Sequence, residues 1–207
     1  MAIRTAVNRA LTAITALPTA AALTDGNLTL LTTVTASSSS TVTFDSSINS
    51  TYNSYLFKFV NVHASNDDAE FNVNFRDGST AYDATKTSSS FRTYADEADS
   101  DTTLGYYTAG DVAQGTGVQR IAGAGIGADN DQCVSGKMHL FDPSNTTFVK
   151  HFMARTQTYM DRDTTQLAST DNYCAGYVNT TSAVNAISFR MNDGNIDSGT
   201  FKLYGVK

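Results

Sequence analysis

From residue 41 onward apolar and polar residues alternate along much of the chain, the pattern of strands with one buried face. Val42 and Phe44 alternate with Thr41 and Thr43. Tyr55, Phe57 and Phe59 alternate with Leu56, Lys58 and Val60, which predicts a central strand, apolar on nearly both faces. Phe71, Val73 and Phe75 alternate with Glu70, Asn72, Asn74 and Arg76, predicting one buried and one wet face. Further strand patterns run over 118–122, 133–141, 148–155, 173–178, 186–191 and 199–206. Leu28, Leu30 and Val34 open an extended stretch after Asp25-Gly26, and the serines at 37–40 read as a polar loop. Asn66-Asp67-Asp68 reads as a turn, and Asp77-Gly78, Asp142-Pro143-Ser144-Asn145 and Asp193-Gly194-Asn195 read as hairpin turns.

About nine or ten short strands, with turn signals every 8–12 residues or so, predict an all-β fold. The expected form is a two-sheet antiparallel β-sandwich, jelly-roll-like, over residues 25–207 as one domain. Its inward set is Val42, Phe44, Tyr55, Phe57, Phe59, Phe71, Val73, Phe75, Val149, Met153, Ile187, Phe189, Phe201 and Leu203. Between 79 and 117 the pattern dissolves. A structureless loop of that length is uncommon in a compact domain, so short strands are expected around 91–94 and 104–108.

Residues 1–24 follow another period. Ile3, Val7, Leu11 and Ile14 fall on one helical face, with Arg4 and Arg9 off it, and Pro18 ends the pattern. A basic start and small residues at 20–22 also fit a secretory signal, but Thr12 and Thr15 dilute its apolar stretch and Pro18 breaks it. A one-stripe helix of about 15 residues is marginal alone in water. The segment is therefore expected to be a helical arm that docks on its own domain or a neighbour, with Ile3, Val7, Leu11 and Ile14 as its contact.

Composition narrows the function classes. The 207 residues carry 14 Lys+Arg against 20 Asp+Glu, a net charge of −6, and only 16% are charged. Glu, Lys, Arg and Leu are too few for a helical bundle, and the acidic balance disfavours a nucleic-acid partner. No run of about 18 apolar residues exists to span a membrane as a helix. Cys133 and Cys174 open similar strings that look like strand starts, so the two could be neighbours in one sheet; they read as free buried thiols, with a single disulfide as the alternative. Zinc is not expected, because His63, His139 and His151 are scattered.

Candidate chemistry is sparse. The string from Gly123 to Ala128 fits a loose dinucleotide fingerprint, but Asp129-Asn130-Asp131 follows where a phosphate-binding helix should begin. It reads as a Gly-rich β-loop. The pairs Asp99/Asp101, Asp129/Asp131 and Asp161/Asp163 read as solvated loops, with structural calcium the alternative. His139 and His151 bracket the Asp142 turn and could face one another, without a nucleophile beside them. The expectation is a non-enzyme without cofactor. The binding candidates are Tyr82, Tyr94, Asp99, Asp101, Tyr106 and Tyr107, an aromatic and acidic loop set suited to a glycan or receptor. The alternative is that these rings pack down over the sandwich.

The closing string, with Asp197-Ser198-Gly199-Thr200 followed by Leu203-Tyr204-Gly205, resembles the C-terminal DSGTxxLYG strand of uncharacterised virion structural proteins of marine tailed phages. The strings at 55–63, 136–143 and 148–152 fit the same group, and the resemblance covers roughly residues 41–207. It implies a virion structural protein, a capsid decoration or a short fibre or tail-fibre subunit, assembled in the host cytoplasm. Its partners would be capsid or tail proteins contacted through residues 1–24. A homo-oligomer is expected, a trimer favoured, with a host surface glycan as the candidate ligand. A glycan- or receptor-binding adhesin module is the alternative. No functional residues carry over from the resemblance.

Overall fold

The computed structural model describes residues 28–123, 125–161 and 167–207. The expected arm with Ile3, Val7, Leu11 and Ile14, and also Asp163, lies outside the described residues.

The described residues build two antiparallel sheets. In chain order the strands are β1 (Leu28–Ser39), β2 (Val42–Phe44), β3 (Ser54–Ala64), β4 (Phe71–Arg76), β5 (Lys86–Asp96) and β6 (Thr102–Tyr106). They continue with β7 (Gln119–Arg120), β8 (Val134–Phe141), β9 (Lys150–Asp161), β10 (Leu167–Val178), β11 (Ala186–Met191) and β12 (Ile196–Val206). The large sheet runs β1-β12-β3-β8-β9-β10-β5-β6 and the small one β2-β11-β4-β7. Among the described residues the only helical piece is a 3-10 turn at Thr108–Gly110.

The two sheets meet through phenylalanine rings, as the alternation at β3, β4 and β11 predicts. Phe59 of β3 lies 5.2 Å from Phe71 of β4 and 5.0 Å from Phe189 of β11, centroid to centroid. Phe44 of β2 meets Phe57 at 5.4 Å, and Phe75 of β4 meets Phe152 of β9 at 5.1 Å. Most contacts are edge-on or tilted, the arrangement the ring quadrupole favours. All belong to one buried cluster drawing on both sheets. At the β7 edge of the small sheet the chain runs on over the inner face of the large one. There the Ile121 carbonyl accepts from Thr156 Oγ1 at 2.6 Å and from Asn172 Nδ2 at 3.2 Å.

Several expectations need correction. On β9 the inward residues are Phe152 and Ala154, while Val149 is half-buried before the strand and Met153 is 57% exposed. The adjacent Phe152 and Met153 leave the phase ambiguous, and Lys150 would ordinarily mark the outer face. Here Lys150 is buried, its ammonium donating to the carbonyls of Phe148 and Thr180 at 3.0 Å each. The second face of β4 is not wet: Asn72 and Asn74 are buried, and their amides donate to the carbonyls of Glu70 and Thr116. The serines at 37–39 continue β1. The irregular 79–117 stretch holds a full-length strand, β5, paired to β6.

The turns divide into two kinds. Asp142–Asn145 closes a true β8–β9 hairpin, with Asn145 N–H donating to the Asp142 carbonyl at 3.1 Å. The expected hairpins at Asp77-Gly78 and Asp193-Gly194 instead carry the chain from one sheet to the other, since β4 and β11 lie in the small sheet and β5 and β12 in the large. Gly78 and Gly194 adopt φ of 101° and 66° there, which is left-handed backbone. Cys174 lies within β10, paired across to Ala154 and Ser90, whereas Cys133 precedes β8; β9 separates the two strands. Both cysteines are free thiols, Cys174 buried and Cys133 half-buried.

Candidate functional site

The large sheet has one face on the core and one outward. Because successive side chains alternate faces, inward Phe57 and Phe59 put Lys58 outward; inward Met138 does the same for Lys137, and inward Phe201 and Leu203 for Lys202. The strand register then aligns residues far apart in sequence. Lys202 stands opposite Lys58, Lys58 opposite Lys137, and Lys137 opposite Arg155. The same row continues through Tyr173 on β10, Phe91 on β5 and Tyr106 on β6. Four cations and three aromatic rings thus cross the outer face in one file.

Two depressions adjoin along this file. The first, about 550 Å³, has the rings of Phe91, Tyr173, His139 and Phe141 and the Met153 side chain as walls, over a floor of small residues such as Ala175. The second, about 350 Å³, is lined by Lys58, Ser135, Gly136, Gln157 and Asp171. Lys137 and Arg155 border both. Phe91 and Tyr173 stack at 4.6 Å with planes 6° apart. Arg155 sits 4.8 Å over the Tyr173 ring and binds Asp171 with two donors, Nε to Oδ1 at 3.1 Å and Nη2 to Oδ2 at 2.6 Å. Lys58 lies 5.1 Å over the Tyr204 ring. Burial and then the neighbouring Lys137 charge push the His139 imidazole below its ordinary value, so it is neutral at pH 7. Among the described residues, all the exposed large apolar side chains but Phe148 project from this outer face.

The structure scatters the residues expected to bind. Tyr94, Asp99 and Asp101 gather at the tip of the β5–β6 hairpin, where Tyr94 donates to Asp101 Oδ2 at 2.5 Å. Asp96 fastens that tip, accepting from the Ser100 hydroxyl at 2.5 Å, and these hydrogen bonds hold its carboxyl below the usual range. Tyr106 is 59% exposed on the outer face and donates to Asp111 Oδ2 at 2.6 Å. Tyr107 turns the other way, under the Arg92 guanidinium at 4.1 Å, and accepts from Arg120. Tyr82 lies against Arg76 before β5 begins, well away from the hairpin tip. Part of the aromatic set therefore packs down, and Tyr106 alone joins the groove face.

His139 and His151 share the outer face but are not opposite one another: His139 stands across from Met153. In the Gly-rich stretch, Ile126 makes isolated bridges to Ala69 and Met160. A third cleft gathers His63, Asp131, Cys133 and Asp197, which sequence spacing did not join. There His63 Nε2 lies 3.0 Å from the Asp129 carbonyl, and burial followed by the Asp131 charge pushes the Cys133 thiol up, keeping it protonated. These side chains are not placed to share one ion: among the described residues no three His, Cys, Asp or Glu side chains are grouped so that they could hold a metal.

The cation file is the feature that sequence reading missed. Lys58, Lys137, Arg155 and Lys202 are dispersed along the chain, and each occupies an unremarkable polar position in an alternating strand. Only the register joins them. A scan of protein-family models, a search of curated proteins and a search of solved structures each find no match to this chain.

Proposed function

We propose that this chain is a surface component of a tailed-phage virion, a decoration or fibre subunit that displays its jelly-roll-like sandwich outward and touches a partner through the outer face of the large sheet. The observation that carries this reading is that face: among the described residues nearly all the exposed large apolar side chains lie on it, and three of them, Phe91, Phe141 and Met153, line an aromatic depression. Exposed apolar groups gathered beside polar neighbours mark interaction sites. The likeness of residues 195–207 to a virion-protein strand supports the particle assignment. In this reading residues 1–24 are the anchor, through Ile3, Val7, Leu11 and Ile14, and the assembly is a homo-oligomer, a trimer by analogy with fibres and decoration subunits.

The test is location. Purified particles probed with antibody against the sandwich should carry label on the head or the tail, and a chain lacking residues 2–24 should fold yet fail to join them. A protein absent from purified particles would sink the reading. Normal incorporation of the truncated chain would remove the arm from it. The receptor-binding reading is favoured by the same depression, whose size falls in the usual range of roughly 300–1,000 Å³ for ligand pockets.

A further inference from the structure

We propose that the outer-face groove binds an acidic polysaccharide, with a sugar ring against the Phe91 and Met153 side of the first depression and its carboxylate or sulfate groups on Lys58, Lys137 and Arg155. This rests on the reading of the outer face as the contact surface and names the chemistry of what it contacts.

Charge on the sheet leads to the ligand. Like charges directly opposite on neighbouring strands destabilise a sheet. This sheet carries three such pairs in succession, Lys202–Lys58, Lys58–Lys137 and Lys137–Arg155. Among the described residues of this row and the rows on either side, Asp171 is the one carboxylate, and it pairs with Arg155. In a chain of net charge −6, where cations are scarce, four of them stand together with Asp171 as their one matching acid. Bound anionic groups would relieve that repulsion.

The shape narrows the partner further. Strands lie about 4.8 Å apart, so the file presents cations at short, regular intervals along a line perpendicular to the strands. A linear polymer with regularly placed acidic groups matches it. The adjoining depression adds apolar and aromatic walls beside Lys137, suited to the weakly polar face of a sugar ring. A second copy of this chain fits poorly, because a two-fold contact through this face would set cation file against cation file. A long nucleic acid is disfavoured by the acidic balance of the rest of the molecule.

The full chain should be titrated at low salt with chondroitin sulfate, polygalacturonate, neutral dextran and an oligothymidylate. Binding of one or both acidic glycans is expected, weakening at high salt, with no binding of dextran. Lys137→Gln and Lys58→Gln should each weaken it roughly tenfold, as loss of one charge-assisted contact. Arg190→Gln, on the small sheet, should leave it unchanged. Equal binding of dextran, tighter binding of the oligothymidylate, no binding of either acidic glycan, or indifference to Lys58 and Lys137 would each overturn the proposal. These outcomes leave the location of the protein in particles untouched, so the two readings fail separately.

Discussion

Phe91 of β5 and Tyr173 of β10 are direct cross-strand partners on the outer face, stacked with ring centroids 4.6 Å apart and planes 6° from parallel. The pair forms one wall of the apolar depression, and Phe91 is nonetheless 46% exposed. A double-mutant cycle with Phe91→Ala and Tyr173→Ala should give a coupling of about 0.5–1.5 kcal/mol in urea unfolding. Phe91→Ala should also weaken ligand binding without unfolding the protein. Zero coupling would mean the stack adds nothing beyond the area each ring covers.

Phe189 is the ring that joins the sheets. It meets Phe44, Phe57, Phe59, Phe71 and Phe201 at centroid distances of 5.0–6.2 Å and is fully buried. Phe189→Ala should cost about 3–5 kcal/mol. Phe148→Ala, at an exposed loop position, should stay within about 0.5 kcal/mol. Equal losses at the two sites would contradict the two-sheet core.

Lys86 makes stability depend on alkaline pH. It is fully buried, its ammonium donates to the Gly117 carbonyl at 2.5 Å, and burial lowers its pKa to about 8, against a smaller opposing pull from Asp83. Between about 8 and 10.5 the unfolded chain holds the proton that the folded chain has released. The unfolded state binds more protons there, so stability rises with pH across that window. Tyrosines also titrate near its upper end, so the readout is a difference: the wild-type Tm minus that of Lys86→Met should increase from pH 7.5 to 9.5. A flat difference would show that Lys86 keeps its ordinary pKa.

Gly176 makes room on the inner face of β10. A Cβ there would lie 2.5 Å from the Thr87 carbonyl oxygen and 2.8 Å from both Phe152 Cζ and Ser88 Cβ. Gly176→Val should therefore push the β5 backbone and Phe152 out of place and cost about 1–3 kcal/mol, measured by chemical unfolding. An unchanged midpoint would show that the strand spacing there can relax.

The two thiols should differ in reactivity. Cys133 is half-buried, while Cys174 is buried with its pKa pushed up to about 12 by desolvation. A thiol reagent at pH 8 should label Cys133 slowly in the folded protein and both residues once it is unfolded without reductant. A count of zero after unfolding would mean that the pair is oxidised.

Much of the strand content can be read from local pattern. Ala186–Met191 coincides with the 186–191 strand pattern, and Phe57, Phe59, Phe71 and Phe75 are buried where alternation puts them. The pattern misleads where two apolar residues adjoin, as at Phe152 and Met153, or where a charged residue turns inward, as at Lys86 and Lys150. Both lysines find carbonyl acceptors from segments distant in sequence, Gly117 for one and Thr180 for the other. No local reading of hydropathy can anticipate such partners.

Turn chemistry has the same limit. Asp77-Gly78 and Asp193-Gly194 each form a turn as their residues predict, but whether a turn closes a hairpin or passes to the facing sheet depends on which sheet the next strand joins, and β5 and β12 both join the large one. The candidate site divides likewise. Tyr106 and Tyr107 read alike in the sequence as loop aromatics suited to binding, and the fold exposes the first while Arg92 and Arg120 hold the second inward.

Local pattern alone makes this an all-β chain with its central phenylalanines inside, because side-chain alternation is a property of each strand and burial of large apolar groups drives it. Which residues share a face is a matter of strand order and register. Lys58, Lys137, Arg155 and Lys202 become neighbours only through the β12-β3-β8-β9 order and its register. That register is set by the summed burial of whole strands, and a shift of one residue would turn every one of these side chains to the other face.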